Sequence, residues 1–236
     1  MFYFIFYYLW YLTLLPLCIL LIYPFYKINI FYCAEIIIDS LKFNIIILKE
    51  EEYITEGFVL ANHRSFTDFV IDPYLAQCPF VCRRLAFLVL MFMNIYYYIE
   101  IGSVVINRKK ESRNSIFHKM LKYKKVLFWP EGTRLRYTIL NSPADVKKYL
   151  RYGLLKEIYY HKVLPVQLQI SGNKELVIDE RKFIINKGIT VKSFISEPIY
   201  PENYNSEQEF YDAIAEKWYN SWIIVNSDLQ SFENDV

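Results

Sequence analysis

From Met1 to Tyr26 the chain carries no charged side chain, and Lys27 is the first. A helix over this stretch, rising about 1.5 Å per residue, would reach about 39 Å, beyond the ~30 Å of a hydrocarbon core. A cleaved secretory signal fits poorly. The stretch lacks a basic start and is too long for a signal's apolar region, and bulky Leu21, Ile22 and Tyr23 stand where small residues would be needed. Pro16 and Pro24 predict a kink, or a helical pair lying in one leaflet, rather than a straight span. The expectation is a hydrophobic, membrane-anchoring helical segment over residues 1–26, with residues 27–236 forming the folded domain. A second uncharged run, Leu85 to Ile99, is short for a span and interrupted by Asn94. It reads either as a buried helix or as one resting in the interface, with Arg83 and Arg84 near lipid phosphates.

Hydrophobic residues make up 54% of the 236, above the usual share for a soluble domain, which agrees with apolar surface facing lipid. The 22 Tyr and 18 Phe, beside many Ile, Lys and Asn, fit an AT-rich coding sequence, so tyrosine runs carry no functional weight. With 27 basic against 25 acidic residues the net charge is +2, which argues against nucleic-acid binding by bulk electrostatics. Cys18, Cys33, Cys78 and Cys82 show neither paired metal-ligand spacing nor a disulfide framework, and are expected as reduced structural thiols.

Beyond residue 40 apolar strands alternate with helical patterns. Strands are predicted at 43–48, 58–61, 103–106, 126–129, 163–170 and 189–195. Helices are predicted at 66–75, begun near Ser65 or Thr67, at 111–123, at 143–152, and at 206–224, where Ser206 and Glu209 form a capping box. This pattern implies an α/β domain with a mixed sheet flanked by helices.

Two segments sit where a buried strand meets a loop, a usual seat of catalytic residues in α/β folds. Asn62-His63-Arg64-Ser65-Phe66-Thr67-Asp68 follows Phe58–Ala61. Asp68 at a helix start can return its carboxylate to the His63 ring, fixing the tautomer through Nδ1–H and leaving Nε2 to take a proton. A His–Asp pair with no serine suits an enzyme whose nucleophile is the substrate's own hydroxyl. Taken alone, the pair reads more simply as a structural His–Asp hydrogen bond at a helix start. Glu131-Gly132-Thr133-Arg134 follows the next strand; Arg134 can offer its planar guanidinium to a phosphate, or Glu131 and Arg134 can pair at the surface. A third segment, Gly102 to Arg108, delivers Arg108 at a strand end.

In order and spacing these segments resemble the glycerolipid acyltransferase family, which includes 1-acylglycerol-3-phosphate acyltransferases. Asn62–Asp68 matches its Asn-His-x4-Asp block, Gly102–Arg108 is similar to its second block, and Phe128–Arg134 carries its Pro-Glu-Gly-Thr-Arg block unchanged. Val163-Leu164-Pro165-Val166 looks like the fourth block. The likeness covers roughly residues 55–200. It implies His63 as general base, Asp68 as its orienting partner, and Arg108, Glu131, Gly132, Thr133 and Arg134 around the acceptor's phosphate-bearing head. Asn107 stands where many relatives carry Asp, and Gln167-Leu168-Gln169 replaces a small-residue run after the fourth block's proline.

The implied donor is acyl-CoA or acyl-carrier protein as co-substrate, with no metal or organic cofactor. The implied acceptor is lysophosphatidic acid, another lysophospholipid or glycerol 3-phosphate. Partners are membrane lipid and the donor, not nucleic acid. The location is a membrane: endoplasmic reticulum in a eukaryote, inner membrane in a bacterium. A serine hydrolase is disfavoured because no Gly-x-Ser-x-Gly elbow occurs among six glycines. His63, His118 and His161 are too scattered for a metal hydrolase. A non-catalytic lipid-binding protein is the rival from another class, and it predicts no acyl transfer.

Overall fold

Runs rich in Ile, Val and Phe form the sheet because branched and aromatic side chains pack well on a pleated surface. The computed structural model describes residues 31–89, 102–107, 110–135 and 139–227, together with Ile5, Phe6, Trp10, Leu14, Cys18 and Leu21. Most of the expected anchor, most of the 85–99 run and Arg108 lie outside the described residues. The six described positions within 1–26 are all exposed. No helix among the described residues is long and apolar enough to cross a membrane.

In chain order the elements are α1 (Phe31–Leu41), β1 (Asn44–Lys49), β2 (Gly57–Ala61), α2 (Asp68–Ala76), β3 (Val81–Arg83), α3 (Arg84–Val89), β4 (Val104–Ile106), α4 (Arg113–Met120) and β5 (Lys125–Phe128). They continue with α5 (Pro143–Tyr149), α6 (Tyr152–His161), β6 (Val166–Gly172), α7 (Lys174–Val177), β7 (Ile178–Asp179), β8 (Ile184–Ile185), β9 (Thr190–Ile195), a 3-10 turn (Pro201–Asn203) and α8 (Glu207–Asn226). Five strands make a mixed sheet in the order β1-β9-β6-β2-β5. β2 is parallel to both neighbours, pairing Phe58 with Val126 of β5 and with Val166 of β6. β9 runs antiparallel to β6 and parallel to β1. A short parallel pair, β3–β4, extends the sheet past β5 through a bridge from Phe80 to Leu127.

Both faces of the central strands are buried, so alternate residues feed two cores. Val59 and Ala61 join Phe69, Ile71 and Trp129 on the face covered by α1 and α2. Phe58 and Leu60 join Leu168, Ile170 and the inner stripe of α8 on the other. That stripe is Phe210, Ile214, Trp218 and Trp222, recurring every fourth residue as a helix face requires. Ser206 Oγ accepts the Glu209 N–H at 3.2 Å, and Glu209 in turn accepts the N–H of Asn205, one residue before the cap. Gly57 opens β2 at φ +135°, where an added Cβ would stand 2.6 Å from the Pro165 carbonyl oxygen. The turn into β2 therefore needs glycine.

The helix predicted over 143–152 is two helices. Leu150 turns extended (φ −72°, ψ 135°) and is buried, and the Arg151 N–H bonds the Pro130 carbonyl at 2.9 Å. A tertiary hydrogen bond thus outweighs helix continuation, and α6 starts afresh at Tyr152. The helix predicted over 111–123 spans Arg113–Met120, its start set by the Ser112 hydroxyl, which accepts the Ser115 N–H.

Candidate active site

Because β5, β2 and β6 are adjacent and parallel, their C-terminal ends open on one edge of the sheet. The loops after β2 and β5 and the start of α7 after β6 therefore meet. This is how distant segments of sequence reach one site.

His63 leaves the end of β2. Its Nδ1 lies 2.7 Å from Asp68 Oδ2. The same oxygen accepts the backbone N–H of Arg64 (2.5 Å) and Ser65 (3.0 Å), so the loop wraps around a single carboxylate. α2 starts on Asp68 itself, with no side-chain cap from Thr67. Asp68 is wholly buried. Burial pushes its carboxyl up, but the charge of Lys174 and the His63 hydrogen bond outweigh it, and it sits below the ordinary range. His63 is held below its ordinary value by burial, against the opposing pull of Asp68, so the ring is neutral at neutral pH. Trp129 stacks on the imidazole at 5.2 Å between ring centroids, and Phe69 meets it edge-on at 5.8 Å. With Nδ1 committed to Asp68, Nε2 is the nitrogen left for a substrate.

The loop after β5 adds Glu131 to Arg134. Glu131 is buried and turned inward, where its carboxylate accepts the His63 N–H at 2.5 Å. Burial raises it to about 7, with the Arg64 charge opposing. Gly132 takes φ +65°, a left-handed conformation that suits glycine, and its carbonyl receives Arg83 Nη2 at 2.6 Å. Arg134 lies over the Phe66 ring at 4.3 Å and pairs with Glu180, its Nη1 reaching both carboxylate oxygens at 2.5 and 2.6 Å. Glu180 also accepts the Phe66 N–H at 2.9 Å. Of the residues singled out in the sequence, His63, Asp68 and Glu131 are joined directly. Gly132, Thr133 and Arg134 share a cavity wall with His63.

That cavity holds about 340 Å³, and its wall is mostly apolar, with Phe66, Phe69, Val81, Phe128 and Leu154 among its residues. A second, of about 290 Å³, shares Ile106, Phe128, Trp129 and Leu154 with it and has Arg113 and Arg151 in its wall. Sequence reasoning missed a polar layer beneath His63. Lys174, Asp72 and Gln169 are all fully buried there. Gln169 Nε2 donates to Asp72 Oδ1 at 3.1 Å, which gives the unusual Gln167-Leu168-Gln169 stretch a use on the inner face of β6. Arg64, also enclosed, lies over Trp222 at 4.1 Å and donates to the Leu135 carbonyl. A lysine after a strand and an aspartate within a helix carry no sequence signal that distinguishes them from surface residues.

The architecture and the edge-of-sheet site together define a helix-flanked mixed α/β fold with a His–Asp pair beside an apolar cavity. No family model and no curated protein matches the chain by sequence. Among solved structures it is similar to the 1-acyl-sn-glycerophosphate (LPA) acyltransferase PlsC from Thermotoga maritima, with a TM-score of 0.59 over 94% of this chain and 95% of that one. Identity between the two is 17%, so the likeness is one of fold.

Proposed function

We propose that the chain is a membrane-bound O-acyltransferase that moves a fatty acyl group from acyl-CoA, or from acyl-carrier protein, to a hydroxyl of lysophosphatidic acid. The observation that carries this reading is a His–Asp pair, with Asp68 wholly and His63 largely buried, that opens on an apolar cavity with no serine or cysteine poised for the imidazole among the described residues. The Cys82 thiol in the cavity wall is pushed up to about 12 by burial, which leaves it protonated. Ser65 is buried and donates to the Lys174 carbonyl instead of facing His63. In this reading the nucleophile comes with the substrate, and Thr133, also in the cavity wall, contacts the acceptor. His63 Nε2 takes the acceptor's hydroxyl proton as that oxygen attacks the thioester carbonyl. The carbon–sulfur bond then breaks, and the imidazolium returns the proton to the departing thiolate. No cofactor enters these steps. The shared fold with a lysophosphatidic acid acyltransferase supports the same reading.

The test is an acceptor panel: purified protein and labelled acyl-CoA with lysophosphatidic acid, glycerol 3-phosphate and zwitterionic lysophospholipids. Transfer to lysophosphatidic acid above the others is the expected result. Absence of transfer to every acceptor would leave a lipid-binding protein as the better reading.

We assign Arg134, Gly132 and Thr133 to the acceptor phosphate, with Glu131 fixing the loop that carries them; Arg108, outside the described residues, is assigned there by the sequence resemblance alone. Arg134→Lys keeps the charge and loses the planar geometry. The acceptor KM should rise about ten- to a hundredfold, the scale of one charged hydrogen bond, and the donor KM should move much less. Equal weakening of both substrates would remove Arg134 from the acceptor site.

Residues 1–26 are assigned as the anchor, in keeping with the exposed apolar side chains Ile5, Phe6, Trp10, Leu14 and Leu21. Their deletion should release much of the protein from membranes or leave it aggregating. A soluble, monodisperse truncation, equally active on micellar acceptor, would show the segment to be dispensable.

A further inference from the structure

Directly behind the His–Asp pair lies a buried cation that no step above uses. Lys174, the first residue of α7, is fully enclosed. Its ammonium donates to Asp72 Oδ1 at 2.9 Å, to Asp72 Oδ2 at 2.8 Å and to the Asn62 carbonyl at 2.7 Å, and it stands 3.2 Å from Asp68 Oδ1. The two oxygens of Asp68 are thus divided: Oδ2 serves His63 and two backbone N–H groups, while Oδ1 faces the cation. We propose that Lys174 is a positioning residue for His63, its ammonium keeping Asp68 anionic and turned toward Nδ1 while Asp72 balances the charge.

A carboxylate in a dry site takes up a proton unless a cation or several donors hold its charge. Two carboxylates packed together make this worse, because each repels the other. Lys174 resolves the conflict here by ligating both. Of the two, Asp72 is the one raised to about 7, by burial first, while Asp68 is held low. A proton taken up by the pair therefore settles on Asp72 and leaves the partner of His63 charged. With His63 neutral and Asp72 ionised, the two carboxylates and one ammonium sum to −1, and a proton arriving on the imidazole brings the group to zero. The charge count therefore favours the transfer that general-base catalysis needs. The next ionisable groups around the pair are two acids, Glu131 and Glu175, both pushed up by burial, and two bases, Arg64 and Arg134.

The kinetic part of this inference rests on the acyltransferase reading; its spectroscopic part does not. The experiment compares wild type, Lys174→Met, Asp72→Asn and the double variant in full-length protein. Lys174→Met strands two buried carboxylates and should lower kcat about ten- to a hundredfold, the scale of a charged hydrogen bond, with acceptor KM nearly unchanged. Adding Asp72→Asn removes one anion with the cation and should restore most of kcat, although packing at residue 174 is no better. In ¹⁵N-histidine NMR, where three histidines allow assignment by His63→Ala, His63 should carry its proton on Nδ1 in wild type and in the double variant. That preference should be lost in Lys174→Met. Folding of the double variant where Lys174→Met does not fold would count for charge balance. A double variant as impaired as Lys174→Met, wild-type kcat in Lys174→Met, or equal collapse of both would make Lys174 a packing residue and overturn the proposal. If the wild-type protein transfers no acyl group to any acceptor, the acyltransferase reading falls, and the His63 tautomer still decides the role of Lys174.

Discussion

His63→Ala should lower acyl transfer about 10²–10⁴-fold, the usual cost of losing a general base, while the protein still folds and associates with membrane. The loss is expected in kcat, because the imidazole acts on the reacting proton and not on the anchoring of either substrate. Asp68→Asn should be severely impaired for a related reason. An amide at that position can donate to Nδ1, which favours the tautomer with its proton on Nε2, the wrong nitrogen for a base. That orientation also sets the amide NH2 against the N–H groups of Arg64 and Ser65, and the reverse one sets it against the Lys174 ammonium, so the variant should lose stability as well. Since the two residues act as one unit, the double variant should be scarcely worse than His63→Ala alone. Multiplicative losses would give Asp68 a separate, structural task. Full activity in a folded His63→Ala protein would sink the mechanism.

The His–Asp pair was legible because both partners lie within one loop, five residues apart, so local geometry alone brings them together. The strands were legible for a similar reason: a run such as Phe58–Ala61 is apolar on both faces only if both faces are covered. What stayed hidden depends on contacts between distant segments. Asp72 faces Lys174 across 102 positions of sequence and Trp129 across 57. Each residue alone looks like an ordinary surface or core residue. Arg134 was legible as a cation, but its partner was not, since Glu180 lies in the turn between β7 and β8, strands too short to show a period. The break after Tyr149 was illegible because the cause, the Pro130 carbonyl, belongs to the loop after β5. Helix α1 was hidden by an apolar run that continues almost unbroken from the predicted anchor.

Trp129 connects the visible and the hidden parts of the site, and substituting it should have the largest effect on stability of any change near His63. Its indole N–H bonds Asp72 Oδ2 at 2.8 Å, and its ring stacks on His63. Its edges meet Phe69 at 5.1 Å and Phe80 at 5.6 Å. Trp129→Ala removes a buried aromatic from between two cavities whose walls it shares. That should cost about 3–5 kcal/mol, the range for large aromatic truncations. It should also lower kcat, because His63 loses the surface that fixes its plane. Trp129→Phe separates the two contributions. The stacking ring is kept, but Asp72 loses one donor and retains Lys174 and Gln169. The expected cost is about 1–3 kcal/mol, that of one buried acceptor left short of a partner, with most of kcat preserved. Denaturant unfolding in detergent, run beside acyl-transfer assays, reads both quantities. If Trp129→Phe is as inactive as Trp129→Ala, the N–H bond to Asp72 governs the orientation of His63 and stacking does not. If Trp129→Ala unfolds within about 1 kcal/mol of wild type, far below the range for such truncations, the packing around His63 is looser than these contacts imply.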